Sequence, residues 1–242
     1  MTYPEAKRLQ DLEGRRRRAW RMAKVLAELG GVDLARSRLL DLGASHGLIT
    51  IELAARAAVT VGIDVDAEAI ASANRSARGM DTLGFVIASG DALPFAEASF
   101  DVIVCNHVYE HVPDPVALLA EIHRVLAPGG TCYFAGGHTL QLLEPHYRLP
   151  FLSWLPRPLA DAYLRLSGQG DRYLEKFVLP WRLEPMFRRF SQVSLASARM
   201  LEDPAAFDIG PAWAGSLLRA LPSRLRRVIA LGLPTQIWLL RR

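Results

Sequence analysis

One stretch, Leu39 to Thr50, constrains this chain more than any other. Arg38 to Leu42 reads as a buried strand, an apolar run broken only by Asp41. Gly43 and Gly47 mark a tight turn, and an apolar helix is expected from Leu48 to Ala57. Strand, glycine turn and helix form the unit that holds a nucleotide-like ligand against a helix N-terminus. Gly43 lets the backbone turn and lets a ligand come close. Asp41, at the strand end, can hold the turn or reach a ligand ammonium through water. Dinucleotide binding asks for G-x-G-x-x-G; after Gly43 this chain has Ser45 and Leu48, so two of the three glycines are missing.

More strands follow, each ending near a polar residue. Val59 to Asp64 is β-branched and ends in an acid 23 positions after Asp41. An acid at the tip of the second strand is placed to accept both hydroxyls of a ribose. Asp66 caps a helix expected from Ala67 to about Arg78. Gly84 to Ala88 is the third strand, leading into Ser89-Gly90-Asp91-Ala92-Leu93-Pro94-Phe95. Ser99 to Asn106 is a fourth strand containing the continuous apolar run Val102 to Cys105, as a central parallel strand should. Asp114 and Pro115 then make a good N-cap and first helical residue for an amphipathic helix expected over Ala117 to Leu126. Pro128-Gly129-Gly130 ends it, and Thr131 to Ala135 is the fifth strand.

The D-x-G-x-x-x-G of Asp41, Gly43 and Gly47 resembles the first motif of the class I S-adenosylmethionine (SAM) methyltransferases. The strings "FDVIVCNHVYEHVPDP" (residues 100–115) and "EIHRVLAPGG" (residues 121–130) resemble the small-molecule members related to ubiquinone- and menaquinone-biosynthesis enzymes. The resemblance covers roughly Leu39 to Ala135; Ser45 departs from the glycine usual there but is small enough to keep the turn. It implies a Rossmann-like α/β fold, a seven-stranded, mostly parallel sheet ordered 3-2-1-4-5-7-6, with Gln192–Ala196 as the sixth strand and Gln236–Leu240 as the antiparallel seventh. It implies SAM as methyl donor, S-adenosylhomocysteine as product, and a donor site built from Asp41, Gly43, Ala44, Ser45, Gly47, Asp64, Val65, Asp91, Ala92, Asn106 and His107. In the loop after the third strand, the Asp91 carboxylate would accept from the adenine amine and the Ala92 N–H would donate to ring N1. Related O-methyltransferases carry a His or a His pair after the fourth strand, which points to Glu110 and His111, with His107, His138 and His146 as further candidate bases. Glu110 stands where a His-His pair would have its first member, so the pattern is imperfect.

Composition narrows the rest. Half of the 242 residues are hydrophobic and 22% are charged, which suits one α/β domain with an insertion. The net charge of +4 and pI near 9.3 come mainly from Arg, because Lys occurs only at positions 7, 24 and 176. GC-rich coding accounts for that better than nucleic-acid binding does, and the Asn/Asp-Pro-Pro-aromatic signature of base N-methylation is absent at Asn106-His107-Val108-Tyr109. Cys105 and Cys132 fall in strands and read as core residues; no spacing suggests a metal site. The Arg-rich N-terminus lacks an apolar signal core, and no run reaches about 18 apolar residues, so a cytoplasmic protein is expected.

Residues 5–29 read as a helix with an apolar stripe of Leu9, Leu12, Trp20, Val25, Leu26 and Leu29, stopped by Gly30-Gly31. Arg15 to Arg18 read as its solvated face. Leu183 to Phe190 reads as a later helix. Between them, about residues 138–175 are rich in apolar and aromatic residues, too long for a plain loop, and are expected to form a helical cap that builds the pocket for a hydrophobic or lipid-like acceptor. Together with the Arg-flanked apolar stretch Leu225–Leu233, that segment is also the candidate for peripheral membrane contact. The whole chain, 1–242, is expected to be a single domain. The expected activity is SAM-dependent methylation of a small molecule, with oxygen as the favoured acceptor atom. The alternatives are a nucleic-acid or protein acceptor, a SAM-fold binding protein without catalysis, and a dinucleotide-dependent oxidoreductase, which the failed glycine spacing opposes.

Overall fold

The computed structural model describes residues 3–242, with side chains from Leu12 onward, so the expectation for Leu9 lies outside the described side chains. Seven strands form one sheet in the order β3-β2-β1-β4-β5-β7-β6. They are β1 (Arg38–Leu42), β2 (Val59–Asp64), β3 (Leu83–Ile87), β4 (Phe100–Asn106), β5 (Leu126–Gly136), β6 (Gln192–Leu195) and β7 (Gln236–Arg241). The first five run parallel; β7 lies antiparallel between β5 and β6. This is the order and the strand sense that the resemblance implied.

Because successive strand residues face opposite sides, each central strand feeds two cores. Leu40 and Leu42 of β1 and Ile103 and Cys105 of β4 pack on one face with Phe134, Phe187 and Trp238. Leu39, Val102 and Val104 pack on the other with Met22 and Leu26. Burial on both faces explains why these strands read as continuous apolar runs.

Helices flank the sheet: α1 (Tyr3–Lys24), α2 (Leu48–Ala54), α3 (Ala67–Ser76), α4 (Pro115–Val125), α5 (Arg157–Ser167), α6 (Leu183–Met186), α7 (Ala196–Met200), α8 (Ala212–Ala220) and α9 (Ser223–Leu231). The Asp66 carboxylate accepts from the Glu68 and Ala69 N–H groups, and Asp114 caps α4 in the same way ahead of Pro115. Three expectations need correction. The helix after the glycine turn stops at Ala54 rather than Ala57. The helix expected over Leu183–Phe190 is a single turn, continued by tight turns in which Phe187 N–H donates to Glu184 O and Phe190 N–H to Phe187 O. Trp20 is 40% exposed, not part of the buried stripe; Ala19, Met22 and Ala23 hold that face, and Trp20 lies under the Lys24 ammonium.

Within residues 138–175, Leu149, Leu152, Ala160, Leu164 and Tyr173 form a small core of their own. Arg157 fastens it by donating to the backbone carbonyls of Tyr173 and Glu175. Among the described residues no helix is long and apolar enough to cross a membrane.

Candidate active site

The glycine turn after β1 is fixed by backbone geometry. Gly43 and Gly47 adopt φ of +74° and +76°, in the left-handed region where a side chain is strained. A Cβ on Gly43 would stand 2.8 Å from Val108 Cγ2, and one on Gly47 would stand 2.6 Å from Phe85 Cζ. The N–H groups of Gly43 and Ala44 both donate to Ile63 O, each at 2.9 Å. Ser45 also has positive φ, +49°, so it keeps the turn in a conformation that costs a non-glycine residue about 1–3 kcal/mol. Its N–H donates to Asp64 Oδ2 at 2.8 Å, while Asp66 N–H donates to Oδ1 at 3.0 Å. Both Asp64 oxygens are thereby oriented and keep further lone pairs. Asp41 is buried, with Oδ2 accepting the Thr50 hydroxyl at 2.6 Å, and burial pushes its carboxyl up to about 7.

Three cavities meet at the C-terminal edge of β1 and β4. The first, about 480 Å³, is lined by Gly43, Asp64, Val65, Ser89, Gly90, His107, Val108 and His111 among others. The second, about 140 Å³, lies behind the turn between Asp41, Gly43, Ala44, Ser45 and Asn106, with Arg15 and Arg18 of α1 on its far wall. The third, about 350 Å³, is walled by α1 (Arg18, Arg21, Met22), the strand ends (Asn106, His107, Tyr133), α7 (Ser197, Met200) and the approach to β7 (Leu233 to Thr235). Asn106 is shared by the second and third cavities, and His107 by the first and third.

His107 is held rigidly. Its φ is +56°, its N–H donates to Ala135 O at 2.8 Å, and its Nδ1 lies 2.9 Å from Glu110 Oε1. Glu110 is fully buried, and its other oxygen has no hydrogen-bond partner. A buried carboxylate is best satisfied by a proton on His107 Nδ1, which leaves Nε2 as the acceptor nitrogen. Nε2 lies 3.3 Å from Thr235 Oγ1.

The other expected bases stand differently. His111 lines the first cavity, its ring edge-on to His146 of the cap with centroids 4.8 Å apart. The Glu144 carboxylate, 2.7 Å from His146 Nδ1, holds that imidazole above the usual histidine range despite partial burial. His138 is a correction. It is 1% exposed, its Nε2 lies 2.8 Å from Leu233 O and its Nδ1 accepts from Leu140 N–H, so neither nitrogen can serve a substrate. Desolvation also lowers its pKa. It is a strut tying the start of the cap to the approach to β7.

In the loop after β3, Asp91 and Ala92 do not line the first cavity; Ser89 and Gly90 do. The Ser89 hydroxyl donates to Asp91, and the Ala92 N–H expected to be available is donated to Ser89 O at 3.2 Å. Arg124 braces the loop through Leu93 O and Phe95 O, and Glu121 accepts from Leu93 N–H. The cap supplies no lining residue between 145 and 165 to any of the three cavities, contrary to the expectation that it builds the acceptor pocket. Leu149, Leu152, Ala160, Leu164 and Tyr173 pack into a small core of their own, while Phe151, Trp154, Leu159 and Leu166 are exposed. Nor is the Arg15–Arg18 run simply solvated: Arg16 pairs with Glu52, while Arg15 and Arg18 face cavities.

Arg21, Tyr133, Ser197 and Thr235 escaped the sequence reading. Thr235 had a signal: an antiparallel strand beside β5 must begin at the C-terminal edge of the parallel strands, so the residue before it lands at the site. The other three carried none.

A family profile described as a methyltransferase domain matches residues 40–134. The ubiquinone biosynthesis O-methyltransferase of Psychrobacter cryohalolentis is 32% identical over 164 residues, 66% of this chain and 59% of the relative. The enzyme of the same name from Methylococcus capsulatus is 30% identical over 152 residues, 62% of this chain and 60% of the relative. The chain thus spans about three fifths of the length of these curated relatives. Among solved structures, an S-adenosylmethionine-dependent methyltransferase from Mesorhizobium loti superposes with a TM-score of 0.58 at 19% identity, covering 91% of this chain and 98% of that one. That likeness is one of fold.

Proposed function

We propose that this chain, whose residues 40–134 match a methyltransferase-domain profile and whose strand order is 3-2-1-4-5-7-6, transfers the methyl group of SAM to an oxygen of a small acceptor. The observation that carries this reading is the junction at Asn106 and His107, where two cavities lined by the glycine turn and Asp64 share lining residues with a third. Bound there, SAM would supply an electrophilic methyl carbon: the aligned acceptor oxygen would bond to it as the carbon–sulfur bond breaks and S-adenosylhomocysteine leaves with the sulfur's electron pair.

The residues fit such a donor. Asp64, preset by the Ser45 and Asp66 N–H groups, accepts the ribose hydroxyls. Val65, Ser89 and Gly90 wall the adenine, with Asp91 at the rim held by Ser89. The Ala92 N–H joins them only by leaving Ser89 O. Asp41, Gly43, Ala44 and Ser45 receive the ammonium end, and Arg15 and Arg18 the carboxylate end. Gly43 and Gly47 keep that approach clear of side chains.

His107, expected both in the donor site and as a candidate base, is the better candidate for general base, because among the described residues it alone borders both the first and third cavities. Its Nε2 takes the acceptor proton, and Glu110 positions the ring and stabilises the imidazolium that forms. Met22, Met200, Leu201, Ile209 and Leu233 give the third cavity an apolar wall suited to a hydrophobic acceptor body. In this reading the chain is one domain with a cap over about 138–175, works in the cytoplasm and needs no nucleic acid. The cap's exposed Phe151, Trp154, Leu159 and Leu166, near Arg148 and Arg165, support peripheral contact with an anionic membrane.

The test is a methylation assay with labelled SAM against a panel of phenols and catechols. Labelled methyl ethers support the reading. Label found only on nucleic acid or protein would overturn the small-molecule acceptor.

A further inference from the structure

We infer that the third cavity, lined by both Arg21 and His107, recognises an acceptor carrying an anionic group that Arg21 holds; this rests on the methyltransferase reading of that cavity. Two guanidinium groups, Arg18 and Arg21, stand on its α1 wall, and among the described residues no Asp or Glu lines it. The Arg21 guanidinium beside a largely apolar wall that screens little draws anions.

Arg21 is set in place for this task. Its Nε donates to Phe207 O and its Nη2 to Asp208 O, both at 2.7 Å. The Asp208 carboxylate is a distant partner at 3.4 Å, about half exposed to solvent. These bonds use Nε and Nη2, and Nη1 takes no part in them. The long side chain has therefore already lost its freedom, so an anion meeting Nη1 avoids most of the ordering cost. Two backbone carbonyls hold the guanidinium at short range, and its carboxylate partner is the longer, half-exposed Asp208 contact, so part of its field is left for a ligand.

His107 Nε2 and the Thr235 hydroxyl, 3.3 Å apart, line the same cavity together with Asn106, and in the proposed reading the acceptor hydroxyl gives up its proton to Nε2. A volume of about 350 Å³ suits a single substituted ring or a short chain. The substrate class is a hydroxylated carboxylate or phosphate of that size, its nucleophilic oxygen set apart from its charge.

The experiment is calorimetric titration of the full-length protein, with and without S-adenosylhomocysteine. The probes are 3,4-dihydroxybenzoate, its neutral methyl ester and the corresponding aryl phosphonate. Wild type, Arg21→Lys and Arg21→Gln are compared. Wild type should bind one or both anionic probes at least about tenfold more tightly than the ester, as a charge-assisted hydrogen bond in a partly dry site provides. Arg21→Gln should lose the preference, Arg21→Lys should keep part of it, and S-adenosylhomocysteine affinity should stay unchanged in both. The benzoate and the phosphonate, compared with each other, say which anion the site takes. Equal affinity for acid and ester, no binding of either anion, or a preference that survives in Arg21→Gln would overturn the inference. Failure of S-adenosylhomocysteine to bind wild type would instead overturn the methyltransferase reading beneath it.

Discussion

His107 Nδ1 lies 2.9 Å from Oε1 of Glu110, a carboxylate with no exposure to solvent. That pairing sets the tautomer and leaves Nε2 facing the junction of the cavities. His107→Ala should lower kcat by about 10²–10⁴-fold, the usual worth of a positioned base, with S-adenosylhomocysteine affinity nearly intact. Glu110→Gln should lower kcat less and shift its pH profile, because the ring stays in place without the charge. His111→Ala should leave turnover near wild type. A large loss in His111→Ala with none in His107→Ala would reverse the assignment.

Asp41 makes stability depend on pH. Burial is the main cause that pushes its carboxyl up to about 7, partly offset by the Thr50 hydroxyl, with the charge of Asp64 pushing it further up. The folded value lies above the unfolded one, so this group's contribution is complete below about pH 4 and is lost as pH rises through about 7. Thermal melts of the ligand-free protein should show a wild-type decline between pH 5.5 and 8 that is smaller in Asp41→Asn. Binding of an ammonium beside Asp41 should also release a proton near neutrality, readable as a buffer-dependent heat.

Gly47 tolerates no side chain. An added Cβ would lie 2.6 Å from Phe85 Cζ and 2.9 Å from Ala73 Cβ, at a φ of +76°. Gly47→Ala should cost about 1–3 kcal/mol, a fall of several degrees in Tm, and weaken donor binding as the turn shifts. Gly84→Ala, where an added Cβ meets nothing within 4 Å, is the control and should change donor binding little.

The cap depends on Arg157. Removing it takes a charged donor from the carbonyls of Tyr173 and Glu175. Arg157→Ala should cost about 1.5–3 kcal/mol and open residues 145–175 to limited proteolysis, with donor binding unchanged because no residue of 145–165 lines a donor cavity. Loss of donor binding would show that the cap supports the site more directly than its contacts indicate.

The sheet was legible because its central strands are buried on both faces, so their apolar runs are long and end in Gly, Asp or Asn. The places of Asp41, Gly43, Gly47 and Asp64 were legible for a related reason: Asp41, Gly43 and Asp64 sit at or beside a strand end and Gly47 caps α2, where backbone geometry limits the choice of residue. The third cavity was not legible. It is walled by α1, α7 and the approach to β7, far apart in sequence, and only the antiparallel insertion of β7 brings Thr235 to within 3.3 Å of His107 Nε2. The cap misled for a physical reason as well: apolar composition cannot tell a ligand pocket from a small self-packed core such as that of Leu149, Leu152 and Leu164. His138 misled because a buried His bonded at both nitrogens has the same letter as a free one.

The central claim is that the cavity between Asp64 and His107 binds SAM. Isothermal titration of the full-length protein with S-adenosylhomocysteine and with NADH tests it directly, using wild type and Asp64→Ala. S-adenosylhomocysteine should bind wild type, and Asp64→Ala should weaken it by about 1–3 kcal/mol, the cost of losing hydrogen bonds to a charged acceptor. Tight NADH binding with no heat from S-adenosylhomocysteine would contradict the account.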